Sequence, residues 1–327
     1  MKKRAILLVL FLVWAGALAA APSGNAGRFE FPAEVTAIEF EGVSGDVTLI
    51  PAEGATGLVK LRASVRPEGN FRPEVDREGS TLYITEHWKS NSSGSVEWVI
   101  YLPKAQKPYR FKMSTASGNL TCKNISAGVN FNTASGNIEL SGVTVADGSN
   151  FSTASGDIIL RDMAVDEGGQ FSTASGDVVL ENVTIGEDCG FSTASGDVRS
   201  TGCKGYFALS SASGDVVVKN CELVGRSKFS TASGNVNMYL DRLPAHNLKA
   251  SSASGDVVFT CADFGGDFSL VLVAREDGGD ISCPFDFTSE DTFEENGEVY
   301  DEKIVERGNG RPEISLSTAS GEVIVKD

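Results

Sequence analysis

The sequence predicts an all-β fold: a single parallel β-solenoid with about 18–21 residues per coil and an irregular β cap at its N-terminal end. Three observations predict it. The phrase Thr/Ser-Ala-Ser-Gly occurs nine times, its glycine at 118, 136, 156, 176, 196, 214, 234, 255 and 321. Around each copy the apolar residues alternate at a period of two, as in FSTASGDIIL at 151–160. The runs between glycines are short and β-branched, which suits strands and leaves no room for helices of ordinary length. Self-similarity at this period marks a unit that cannot bury its apolar face alone and must stack on copies of itself. Parallel crossovers favour the right hand, so a right-handed β-helix is expected.

The elements follow in chain order. MKKR, the apolar run AILLVLFLVWAGAL and the small residues AAAPSG form a secretory signal peptide over 1–21, with cleavage expected after Ala19 or Ala21. No second apolar run follows, so no transmembrane span is expected after cleavage. Residues 22–112 keep the alternation in AIEFEGV, VTLI, LVKLRASV, TLYIT and VEWVIYLP without the strict phrase. They read as irregular first coils and hairpins that cap an otherwise open sheet edge. VSGDVTL at 43–49 is a worn copy of the repeat.

Residues 113–327 form the repeat region. Within a coil, Phe151, Thr153 and Ser155 fall on one face, a Ser-Gly-Asp corner follows, and Ile158 and Leu160 fall on the next. A third run, such as MAV or VTI, closes the coil before a DG, EGG or GED turn. Coils stacked ~4.8 Å apart give a rod of roughly 50 Å. Stacking makes ladders: Phe131, Phe151, Phe171, Phe191 and Phe229, with Leu209 in phase, form an internal aromatic column. Burying each ring stabilises by ~2–3 kcal/mol before entropy is set against it. The Thr two residues on points inward and needs a partner for its hydroxyl. Ser152 and Ala154, with their equivalents, make an outward strip of small residues. The gap between the last two copies, 66 residues, has the length of about three coils and contains a worn copy, GGDISC, at 278–283. The acidic segment 288–310 reads as a long surface loop.

The chain has 44 acidic and 28 basic residues, a net charge of −16; residues 1–21 hold three basic and no acidic ones, so the mature chain is more acidic still. Such a surface repels polyanions, which excludes nucleic acid as a partner. The residue after the glycine is Asp157, Asp177, Asp197 and Asp215 in four consecutive coils. These carboxylates either accept backbone N–H groups at the corner, as Asx turns do, or line up as a Ca²⁺ ladder. Calcium takes about six to eight oxygens, and the GGxGxDxUx phrase of Ca²⁺-binding β-rolls is absent, which favours the corner role. Carboxylates one coil apart would also match the ~5–5.5 Å of retaining glycosidases, a spacing automatic in any such ladder. His87 and His246, the two histidines, lie outside the repeat cores, and no nucleophile–base constellation is legible. Cys203 and Cys221 each lie seven residues after their repeat glycine, so they should face each other on adjacent coils as a disulfide, permitted in an exported protein. Cys261 and Cys283 are a second candidate pair; Cys122 and Cys189 have no evident mate.

EGVSGDVTL, VIYLPKAQKPYRFKMSTASGNL, the TASGDV phrases and GRPEISLSTASGEVIVKD together resemble a bacterial adhesin-like family of unknown function, built of β-strand repeats and similar in appearance to auto-transporter adhesin heads. The resemblance spans nearly the whole mature chain. It implies a β-solenoid in an exported or envelope protein and supplies no catalytic residues. The expectation is therefore a non-catalytic, cell-envelope binding or structural module, periplasmic or at the cell surface, without a cofactor, recognising a protein or glycan or associating with itself. The alternative is a carbohydrate-active enzyme, a polysaccharide lyase or glycoside hydrolase, on the same rod.

Overall fold

The computed structural model describes residues 26–104 and 107–327, and no helix occurs among them. The expected signal peptide lies outside the described residues. Each coil has three sides. The first is a short strand such as Asn150–Thr153; the second and third are the two halves of Ile158–Val165. That strand bends at Asp162, whose φ is 50°, and Asn124, Gly142, Asn182, Gly202 and Asn220 hold the same left-handed corner in neighbouring coils. Asn, Asp and Gly are the residues that adopt this conformation at least cost.

Every side is a parallel ladder in strict register. On side one, Phe131 pairs with Phe151, Phe151 with Phe171, Phe171 with Phe191, Phe191 with Leu209, and Leu209 with Phe229. All six are buried, and the Phe151, Phe171 and Phe191 rings stack with centroids 4.8 and 5.0 Å apart. That spacing is the strand repeat itself, so the rings meet face to face at no cost in backbone geometry. Side two stacks Ile158, Val178, Val198, Val216 and Val236 in one inward row. Side three is the shortest, running from Ser126–Ala127 to Glu222–Leu223.

The repeated phrase is the corner between sides one and two. The Thr173 hydroxyl donates to the Gly156 carbonyl of the preceding coil at 2.9 Å and accepts the Gly176 N–H of its own coil at 3.1 Å. The same double bond recurs at Thr153, Thr193, Ser211, Thr231 and Ser252. A Cβ on Gly176 would lie 2.0 Å from the Gly156 carbonyl oxygen, so only glycine fits. Ser155 departs from the expected inward face: it is exposed, because the corner begins at Ala154, and the Ala154 and Ser155 N–H groups turn to carbonyls of the coil below.

Both ends are capped by excursions that leave the stack and come back. Ala37–Glu41 and Gly45–Pro51 form the first coil, against which Tyr109–Thr115 and Leu120–Lys123 later stack. Between them the chain runs outward through antiparallel strands, and Thr81–Trp88 and Ser93–Leu102 cover the outer side of that coil. The C-terminal end repeats the device. Glu313–Thr318 and Glu322–Lys326 stack directly on Leu248–Ser252 and Val257–Cys261, so the glycines at 255 and 321 are neighbours despite the gap between them. The intervening Phe268–Arg275 and Asp280–Ser282 lie on the far side of this last coil. GGDISC is therefore a rung beyond Gly321, not one between Gly255 and Gly321.

The surface loop expected over 288–310 is instead a hairpin. Ser289–Glu295 and Glu298–Arg307 pair antiparallel, and the second strand extends the sheet from Phe268–Arg275. Asn296 and Gly297, with φ of 54° and 83°, make the two-residue turn that matches strand twist. Acidic composition here marks an edge strand: Glu290, Asp291, Glu294 and Glu295 charge the last strand of the rod and discourage edge-to-edge pairing.

Candidate binding face

The row of residues after each glycine is a continuous hydrogen-bond relay. Oδ1 of Asp157 accepts the N–H of Asp177 at 2.9 Å, Asp177 that of Asp197 at 2.8 Å, Asp197 that of Asp215 at 2.7 Å, and Asp215 that of Asn235 at 2.7 Å. It starts at Asp46, passes Asn119 and Asn137, and ends where Asp256 accepts the N–H of Glu322. The Asx-turn expectation is corrected in one respect: each side chain serves the coil above, not its own corner. Asn occupies three of the positions because the bond needs an oxygen and no charge. Arg199 lies against the second oxygens of Asp177 and Asp197, 2.8 Å from the former, and offsets charge where the aspartates are consecutive. Among the described residues no group of three or more His, Cys, Asp or Glu side chains is placed to hold a metal ion. Oδ1 is thus taken by the N–H of the next coil on every Asp and Asn rung.

A second acidic side chain closes this corner at its N-terminal end, and nothing in the repeat announces it. Glu86 is 6% exposed and accepts four bonds: from the Val43 and Ser44 N–H groups at 2.8 and 3.2 Å, and from the indoles of Trp98 and Trp88 at 2.7 and 3.1 Å. In later coils the equivalent N–H groups find a carbonyl below them; in the first coil a carboxylate takes its place. The sequence offers only Trp88 at the end of one cap strand and Trp98 inside the next, and neither residue points to Glu86 as its acceptor. His87 lies beside Glu86 in sequence but points outward to Glu74, 2.9 Å away.

What side two leaves to solvent is an unexpected row. The inward Val or Ile is followed by an outward one at Ile159, Val179, Val217, Val258 and Ile324, interrupted by Arg199 and Asn237. All five aliphatics are half-buried. The doublets II, VV, VV, VV and VI after the corner were the sequence signal. Tyr239, 40% exposed with Lys219 5.5 Å from its ring centroid, stands on the same side. Side one, by contrast, offers Ser152, Ser172, Ser192, Ser210 and Ser230, small and polar. Rows spaced ~4.8 Å apart on a flat sheet form a regular, weakly apolar platform.

The cysteines divide by place. Cys122 is buried in the side-two ladder between Leu49 and Leu140, and burial pushes its thiol up. Cys189 is buried too, its thiol donating to the Asp166 carbonyl. Cys203 and Cys221 are neighbours, as their spacing predicts; both are free thiols in this structure. Cys261 and Cys283 are not neighbours. Glu322–Lys326 inserts between their strands, and Cys283 follows Ser282, which is in register with Ile324, while Cys261 is in register with Leu240. The candidate pairing fails because the chain returns to fill that layer.

Fold and face together define a parallel β-solenoid repeat protein whose repeated polar groups are consumed by the stack. The chain belongs to the Toastrack DUF4097 family, which matches residues 35–265. No curated protein matches it. Among solved structures it is similar to a protein from Clostridium sporogenes provisionally described as a cell adhesion protein, with 9% identity and a TM-score of 0.23 over 92% of this chain and 98% of that one. It is also similar to one from Parabacteroides distasonis provisionally described as lipid binding, with 13% identity and a TM-score of 0.40 over 93% and 98%. A third, from Parabacteroides merdae and provisionally described as an adhesin, gives 11% identity and a TM-score of 0.31 over 93% and 97%. At these TM-scores nothing about this chain follows from their descriptions. Among the described residues no helix is long and apolar enough to cross a membrane.

Proposed function

We propose that the protein is an exported, non-catalytic module of the cell envelope, adhesin-like, which recognises a protein or glycan with side two of its rod. Export is supported by the signal-like residues 1–21. The observation that carries the binding reading is the outward row Ile159, Val179, Val217, Val258 and Ile324, placed beside a corner whose hydroxyls and carboxylates already serve the stack. A row of aliphatics on an otherwise polar surface lowers solubility unless it meets a partner, and desolvating it is favourable at ~25 cal/mol per Å². The acidic surface directs the choice towards partners that are not polyanions.

The test is a glycan- and protein-array screen with the mature chain, repeated with Val179→Asp/Val217→Asp and with Ala174→Asp at the corner that follows side one. Loss of the hits with the side-two variant alone supports the reading. Hits that survive the side-two variant and vanish with Ala174→Asp would overturn it.

A further inference from the structure

Side three stops at Glu222–Leu223, and the next coil passes over it as the irregular segment 241–247. The step leaves a cavity of about 400 Å³ lined by Leu223, Leu240, Leu243, Pro244 and His246, with Cys221 in its wall. Behind Cys221 lies Cys203. Thr201 pairs with Lys219 and Lys204 with Glu222, so the ladder brackets Cys203 and Cys221 at the same register on adjacent coils. In-register parallel neighbours are ~4.8 Å apart, within the Cα window of about 4.4–6.8 Å that a disulfide requires. The two thiols differ in access: Cys203 is 1% exposed, Cys221 half-buried at the cavity.

We propose that Cys203 and Cys221 are a thiol–disulfide exchange site, in which Cys221 is the entry thiol and Cys203 the resolving thiol. The co-reactant is a small disulfide, RSSR. Cys221 sulfur attacks one sulfur of RSSR, its S–S bond breaks, and RS⁻ leaves while a mixed disulfide forms on Cys221. Cys203 sulfur then attacks the Cys221 sulfur, the second RS⁻ leaves, and the Cys203–Cys221 bond forms. The two thiol protons end on the two RS⁻ groups; the protein is oxidised by two electrons and RSSR reduced to two RSH. The surroundings fit a pair that can be charged. The Val183 N–H donates to Cys203 Sγ at 3.3 Å, and Ser200 Oγ, itself fully buried, lies 3.5 Å from Cys221 Sγ. A hydrogen bond from Cys221, aided by Ser200 and backbone N–H groups, draws the Cys203 thiol down to about 6 against the opposing effect of burial, while Cys221 is pushed up. The same hydrogen bond and burial hold the entry thiol Cys221 protonated near neutral pH, so the first attack runs through its minor thiolate and quickens as pH rises.

Reduced mature protein, incubated with oxidised glutathione and mapped by peptide mass spectrometry, tests this. The wild type should lose two hydrogens at a Cys203–Cys221 cross-link and keep no glutathione, while Cys122 and Cys189 stay reduced. Cys203→Ser should hold one glutathionyl group on Cys221, and Cys221→Ser should leave Cys203 unmodified. Iodoacetamide labelling of the unmutated protein gives an independent reading should a variant fail to fold: Cys221 should label well before Cys122 and Cys189. Cys203 and Cys221 left reduced in the wild type, a stable adduct on wild-type Cys221, or labelling of Cys221 no faster than that of Cys122 would each overturn the proposal.

Discussion

Replacing Thr173 by valine removes one oxygen from the interior of the rod and changes its shape very little. That hydroxyl donates to the Gly156 carbonyl and accepts the Gly176 N–H, and Thr173 is 6% exposed, so water cannot take its place. Two buried backbone groups lose their partner at about 1–3 kcal/mol each, giving an expected loss of about 2–6 kcal/mol. Thr173→Ser keeps both bonds, as Ser211 and Ser252 do at their own corners, and loses only a methyl group, about 1 kcal/mol. Urea denaturation followed by circular dichroism should therefore place valine below serine, although valine is the more hydrophobic and the more strand-prone. Amide hydrogen exchange should show the Gly176 N–H deprotected in the valine variant alone. Valine equal to or above serine in stability, with Gly176 still protected, would refute the reasoning.

Gly176→Ala should destabilise more than any surface change, because its Cβ meets the Gly156 carbonyl at 2.0 Å, whereas Gly54→Ala, which meets nothing, should leave the melting temperature within error. Glu86→Ala strands four donors in the cap and should cost at least about 3 kcal/mol, with a change in tryptophan fluorescence as Trp98 and Trp88 lose their acceptor. Asp215→Asn should be neutral, since the relay bond needs only an oxygen, while Asp215→Val should cost about 1 kcal/mol by thermal melt. Calcium added to the chelated wild type should release no heat of binding and leave the melting temperature unmoved; a saturable heat lost in Asp177→Asn would show a cation on the relay.

The middle of the rod was legible because each coil repeats its own evidence. Phe151, Phe171 and Phe191 announce a column, Thr173 an inward hydroxyl, Gly176 a tight corner, and period two does the rest. The ends were opaque for a physical reason: sequence order and stacking order part company there. GGDISC precedes the final TASG in the chain but follows it in the stack, which also separated Cys261 from Cys283. The Glu-Asn-Gly-Glu turn at 295–298 carried a hairpin signal that the surrounding acidity obscured, since charge on an edge strand and charge in a loop look alike in composition. Glu86 could not be read because its partners come from three separate segments. The outward row from Ile159 to Ile324 was visible as doublets after each corner, yet two adjacent β-branched residues read equally well as strand propensity until register assigns one of them to solvent.

Amide hydrogen exchange at the nine residues that follow the repeat glycines is the measurement that reaches furthest into this account. If each of Asn119, Asn137, Asp157, Asp177, Asp197, Asp215, Asn235, Asp256 and Glu322 gives its N–H to the side chain one coil below, all nine should exchange only with global or end-on unfolding of the rod. Exchange at the rate of open turns, with the strand amides beside them still protected, would mean that the side chains serve their own corners and that the relay does not exist.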